Sequence, residues 1–163
     1  MTKKRFARVF SERIWSVVGM EGDGELAISP AGESLNGGIF ASRLRDFARF
    51  GLLFTPSYKV LTEQKIVDDK YFEKVYGSGN SFAFSKGKMG KRMIENFREM
   101  PSHASYQWDA VFNDGDLYKS GRYGQCLYIS PKNDFVVVWF SSVYSNLLWL
   151  PIYARAIVKR LSN

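Results

Sequence analysis

The residues able to do chemistry are few. His103 is the only histidine, which excludes a metal site built on two histidines and leaves one candidate for a histidine-based triad. No partner motif surrounds it, and it reads as a loop histidine. Cys126 is the only cysteine, so neither an intrachain disulfide nor a cysteine-based metal site can form, and its neighbours predict a buried strand thiol. The charged residues are predominantly basic: 23 Lys and Arg against 16 Asp and Glu give +7, with the excess in residues 3–13, 86–98 and 155–160. A basic chain rich in aromatics can bind nucleic acid through phosphate neutralisation and base stacking. Each basic cluster, however, falls on an expected helix whose other face is apolar, and solvated helix faces explain all three. No RNP, KH or zinc-finger phrase is present. No metal, cofactor or nucleic acid is therefore expected.

The elements that must position these residues belong to one domain spanning 1–163. With 45% hydrophobic and 16% aromatic residues, the composition is that of a soluble globular chain, which at this length buries roughly 70% of its unfolded surface. The longest apolar run, 135–140, is far shorter than the ~20 helical residues that cross a bilayer, so no membrane span is expected. Behind Lys3, Lys4 and Arg5, an export signal's apolar stretch would be interrupted by Arg8, Ser11, Glu12 and Arg13. No signal peptide is visible, and the cytoplasm is the default location.

Helical spacing of Phe6, Val9, Phe10, Ile14 and Val17 predicts a helix over 3–18 that stops near Gly19. Residues 20–41 read as an ordered loop. Ser42 is the expected N-cap of a helix with Leu44, Phe47, Ala48 and Gly51 on its core stripe and Arg43, Arg45 and Arg49 outward. Thr62 is the expected cap of a third helix, stapled by Leu61 and Ile66. Residues 76–90 read as a loop or lid, and Met89, Met93, Phe97 and Met100 as a short helix ended by Pro101. From Ser105 the period becomes two: a strand with Trp108, Ala110 and Phe112 reverses at Asn113-Asp114-Gly115. Strands over 123–129 and 135–143 follow, joined by a turn at Pro131. Pro151 fits the first turn of a last helix, with either Ile152, Ala156 and Val158 or Tyr153, Ile157 and Leu161 as its apolar face. The fold class is α+β, an antiparallel β meander flanked by helices.

Three phrases carry a resemblance. They are Glu12-Arg13-Ile14-Trp15-Ser16-Val17-Val18-Gly19-Met20-Glu21; Gly37-Gly38-Ile39-Phe40-Ala41-Ser42 with Arg45-Asp46-Phe47-Ala48-Arg49-Phe50-Gly51; and Tyr106-Gln107-Trp108 through Gly121-Arg122-Tyr123-Gly124-Gln125 to Tyr128-Ile129-Ser130-Pro131. In order and spacing they resemble the C-terminal part of the serine beta-lactamase-related hydrolases, in the class C-like branch that includes the 6-aminohexanoate-dimer hydrolases. The resemblance implies an incomplete beta-lactamase/transpeptidase-like fold and an acyl hydrolysis of amides, esters or beta-lactams.

Such enzymes attack with the serine of an S-x-x-K phrase, where a lysine one helical turn later helps remove the proton. A tyrosine of a Y-x-N phrase shuttles protons. Two backbone N–H groups hold the oxyanion, one from the serine and one from a late strand. By resemblance the second donor is the backbone N–H of Arg122, with Gly121, Tyr123, Gly124 and Trp108 as substrate-binding neighbours. Two decoys are present: Ser85-Lys86-Gly87-Lys88 spells S-x-x-K, and Tyr144-Ser145-Asn146 spells Y-x-N. Both stand too late in the chain and in the wrong settings. The expectation is a C-terminal fragment, inactive alone, completed by an N-terminal chain or self-associated through the exposed edge of its last strand. It would meet a small acyl substrate only when complemented. A noncatalytic binding or scaffold module on the same fold is the alternative; a basic nucleic-acid-binding domain is the weaker one.

Overall fold

A computed structural model describes residues 4–35, 39–142 and 149–161. Its centre is a sheet of β3 (His103–Ser105), β4 (Trp108–Val111), β5 (Leu117–Ser120), β6 (Cys126–Ser130) and β7 (Phe135–Trp139). These strands pair antiparallel in chain order. The α+β class and the meander are as expected, but the meander has five strands where three were read. The β3–β4 turn was hidden because Tyr106 and Gln107 occupy its two left-handed positions (φ 48° and 70°), where the usual Asn-Gly signal is absent. β5 is only four residues long and ends in Lys119-Ser120, too short to show a period.

Strand side chains alternate between faces, and here both faces are buried. Tyr118, Cys126, Tyr128 and Trp139 pack against Met93 and Phe97 of α5 (Lys88–Phe97) and Ala154 and Val158 of α6 (Trp149–Leu161). Leu117, Leu127 and Ile129 pack on the other side with Leu53, Phe54, Val75 and Val18. That second layer is formed by α2 (Leu44–Leu52) and α3 (Asp69–Gly77), with Ile14 of the π-helical turn Ser11–Trp15 that continues α1 (Phe6–Phe10). Among the described residues, no helix is long and apolar enough to cross a membrane.

Several local expectations are corrected. Residues 20–41 include a small ladder of β1 (Glu25–Leu26) and β2 (Phe40–Ala41). The N-cap of α2 is Arg43, one residue after Ser42, and Leu44 is exposed. Arg49 does not point outward: it pairs with Glu21 at 2.9 Å. Thr62 caps no helix. Its hydroxyl accepts from Gln64 N–H in a turn, and α3 starts only after Asp68, whose carboxylate accepts from the Tyr71 N–H at 2.9 Å. The supposed lid at 76–90 contains the end of α3, then α4 (Ser81–Lys86), capped by Asn80, and the start of α5. The polar and glycine residues read as loop there are caps between short helices. His103 is a buried strand residue, its Nε2–H donating to the Val75 carbonyl at 2.9 Å. On α6 the buried face is Ala154, Arg155 and Val158, while Tyr153, Ile157 and Leu161 are exposed. Arg155 therefore does not lie on a solvated face.

The close approach read at Gly51 is present. A Cβ there would stand 2.6 Å from Val136 Cγ1 and 3.0 Å from Leu127 Cδ1, so α2 sits directly on β6 and β7. Gly51→Val is expected to cost about 1–3 kcal/mol by overpacking, measured by urea unfolding. An unchanged midpoint would show that α2 does not rest on the sheet.

Candidate functional site

The polypeptide leaves β5 at Ser120 and turns at the sheet's end before entering β6. Gly121 is extended and its N–H donates to the Gln125 carbonyl at 2.6 Å, closing the turn. Arg122–Gly124 form one 3₁₀ turn inside it. Arg122 is its first residue, a position whose N–H has no partner within the helix. Among the described residues that N–H has no acceptor. Tyr123 is held left-handed at φ 61°, a conformation that costs a non-glycine residue roughly 1–2 kcal/mol. Gly124 follows at φ 81°, where the missing Cβ removes that cost. The turn is fixed from β7: Trp139 Nε1–H donates to the Gly124 carbonyl at 2.7 Å. The Arg122 guanidinium lies 5.2 Å from the Tyr123 ring centre.

This turn forms one wall of a cleft of about 320 Å³, lined by Lys119, Ser120, Gly121 and Arg122 with Phe40, Ser42, Phe47 and Phe140 opposite. Tyr123 joins Arg122 in an adjoining depression beside Glu25 and β2. Of the residues singled out from the sequence, Gly121 and Arg122 line the cleft and Tyr123 the adjoining depression, while Gly124 lines neither. Trp108 is not with them. It is 6% exposed, packs edge-on against Phe54 at 5.3 Å and donates its Nε1–H to the Tyr71 hydroxyl at 2.9 Å. The expectation that it contacts substrate is corrected: aromatic burial has taken it into the core.

The hydroxyls and thiol near the cleft have structural tasks. Ser120 Oγ–H donates to Asp109 Oδ2, which also accepts from the Ser120 N–H at 2.8 Å and Lys119 Nζ at 3.0 Å. Arg92 donates to Ser120 Oγ at 3.2 Å. Burial pushes the Cys126 thiol up to about 12, so it is a protonated core group and not a nucleophile. Ser85 is on α4 with its hydroxyl donating to the Phe82 carbonyl at 2.9 Å. Gly87, extended at ψ 163°, breaks the helix before Lys88. The lysine does not follow the serine along one helix, as S-x-x-K chemistry requires. Tyr144-Ser145-Asn146 and Gly37-Gly38 lie outside the described residues.

Sequence reasoning missed Phe40, Ser42, Lys119 and Phe140 as cleft residues, and the role of Asp46. The Asp46 carboxylate, fully buried, accepts from the N–H groups of Glu21 (2.7 Å) and Gly22 (3.1 Å). It thereby ties the end of the first quoted phrase to the middle of the second. A lone buried aspartate on the apolar side of an amphipathic helix was the available signal.

No protein-family model matches the chain. Among curated proteins it is similar to 6-aminohexanoate-dimer hydrolase of Paenarthrobacter ureafaciens, 25% identical over 145 residues, which cover 87% of this chain and 35% of that protein. The chain thus spans about a third of the length of the curated relative it matches. This likeness relates the chain, distantly, to a hydrolase.

Proposed function

We propose that this chain is the C-terminal part of a beta-lactamase-related serine hydrolase and supplies the strand half of its oxyanion hole through the Arg122 N–H. The observation that carries the reading is the Arg122 N–H, which among the described residues has no acceptor, on a cleft-lining turn held from two sides. A carbonyl oxygen there would gain charge as an acyl intermediate forms, and a donor already oriented by the fold stabilises it without reorganisation. The nucleophilic serine, its lysine and the proton-shuttling tyrosine come from a complementing N-terminal segment. The edge of β7, which among the described residues pairs only with β6, supports a place where such a segment completes the sheet.

The 163-residue chain alone is expected to form no acyl-enzyme with a chromogenic beta-lactam, a p-nitrophenyl ester or a fluorophosphonate probe. Intact-mass spectrometry checks this. Stoichiometric labelling of any serine, Ser85 above all, would overturn the reading. Joined to a segment bearing S-x-x-K and Y-x-N, the chain is expected to gain ester or amide turnover.

A further inference from the structure

The basic cleft adjoins a second compartment along β2. This is an apolar pocket of about 250 Å³ walled by Phe10, Trp15, Leu26, Phe40, Phe47 and Phe50. Among the described residues its lining is apolar but for the Ser42 hydroxyl and the anchored Trp15 N–H, and Ser42, Phe40 and Phe47 also line the cleft. The two spaces therefore meet along one strand. The aromatic wall is preformed: Phe40 meets Phe10 and Trp15 edge-on at 5.5 and 5.3 Å, and the Trp15 indole is anchored by donating to the Gly22 carbonyl at 2.8 Å. Among the described residues, the cleft's lining contains two cations, Lys119 and Arg122, and no carboxylate. Lys119 is paired with Asp109, while the Arg122 guanidinium rests on the Tyr123 ring. Glu25 lines the adjoining depression on the β1 side, with Arg122 between it and the cleft.

An apolar pocket with a few polar groups at one end is the usual form of a small-ligand site, and together the two compartments reach the size range of such sites. We infer that they bind a medium-chain aliphatic carboxylate, its chain among Phe10, Trp15, Phe40 and Phe47 and its head group at Arg122. Arginine's planar fork matches a carboxylate better than any other side chain, and an ammonium head at the same place would meet like charge. The apolar wall selects the chain by burial, and the cation selects the head. Turnover is not required, so the inference extends beyond the hydrolase reading and can fail without it.

The test titrates the 163-residue protein with decanoate, decylamine and decanol, read by tryptophan fluorescence and by calorimetry. Expected is saturable 1:1 binding of decanoate, at least about tenfold tighter than decylamine. Arg122→Glu, at an exposed turn, is expected to weaken decanoate by about tenfold or more and to bring decylamine level with it. Leu26→Trp, which fills the pocket, should abolish binding of all three, and Trp15→Phe should remove the fluorescence response while calorimetric binding persists. Absence of saturable decanoate binding below about 1 mM would overturn the inference. So would equal affinity for acid and amine, or decanoate binding unchanged by Arg122→Glu. Either result leaves acyl transfer by the completed enzyme to be judged on its own assay.

Discussion

In the enzyme completed with its serine- and lysine-bearing segment, Arg122→Pro is expected to lower kcat for a short p-nitrophenyl ester by about a hundred- to a thousandfold. Arg122→Ala should stay within about threefold of the parent, because it keeps the backbone donor that the oxyanion uses. The comparison is clean for a structural reason. Residue 122 is the first residue of a 3₁₀ turn, preceded by extended Gly121 (φ −126°, ψ −178°). Proline lacks the N–H and demands an extended predecessor, which Gly121 supplies. The substitution therefore deletes one N–H and leaves the turn in place. Equal losses in the two variants would mean that the guanidinium, not the amide, does the work. Full activity in Arg122→Pro would place the second oxyanion donor elsewhere.

The largest expected effect on stability lies at Arg155. Its side chain, 5% exposed, is shared among Asp116 at 2.7 Å, Asp114 at 2.7 Å and Glu99 at 2.9 Å, and its guanidinium stands 4.2 Å from the Phe112 ring centre. Tyr128 donates to the same Asp116 carboxylate. The cluster fastens α6 to the β4–β5 turn and to the end of α5. Arg155→Met removes the cation and leaves Asp116 buried and uncompensated, a loss expected at about 3–5 kcal/mol. In a chain of this size that lowers Tm by roughly 6–20 °C, readable by calorimetry. Adding Asp116→Asn to Arg155→Met should return part of the loss, since the orphaned charge is then gone. A single-variant loss under about 1 kcal/mol would show that the network is no more than a surface pairing.

The same cluster sets an acid limit. The hydrogen bond from Arg155, and then that from Lys159, holds the Glu99 carboxyl below its ordinary value of 4.5. The folded chain thus gains stability from ionised Glu99 above about that pH and loses it as pH falls through the lowered folded value. Burial acts in the opposite direction on Asp116, raising its carboxyl. Glu99→Gln should therefore flatten the fall in stability below about pH 4.5, followed by urea midpoints across pH. An unchanged slope would remove Glu99 from the acid response.

What could be read from the chain follows the range of the interaction that decides it. Runs of apolar residues marked β6 and β7, read over 123–129 and 135–143 and observed over Cys126–Ser130 and Phe135–Trp139. The Asn113-Asp114-Gly115 reversal and the tight packing of Gly51 were legible because each depends on one residue's backbone freedom or size. The order of the three quoted phrases was enough to point at residues 121–124. The short helix at 81–86 was lost among glycine and serine residues, whereas the one at 88–97 was read from its methionine and phenylalanine spacing. The left-handed pair at Tyr106 and Gln107 hid a turn, because the neighbouring strands hold those two residues against their local preference.

By itself the sequence determined the α+β class and the antiparallel meander, for these are written in side-chain size, alternation and turn chemistry over a few residues. Only the tertiary structure decided that Trp108 belongs to the core, that Asp46 joins two distant phrases, that Arg155 is buried among carboxylates, and that Phe40 lines both an apolar pocket and a basic cleft. Each of those outcomes depends on partners 20 or more residues away in sequence, whose burial and hydrogen bonds exist only once the sheet has assembled both helical layers around it.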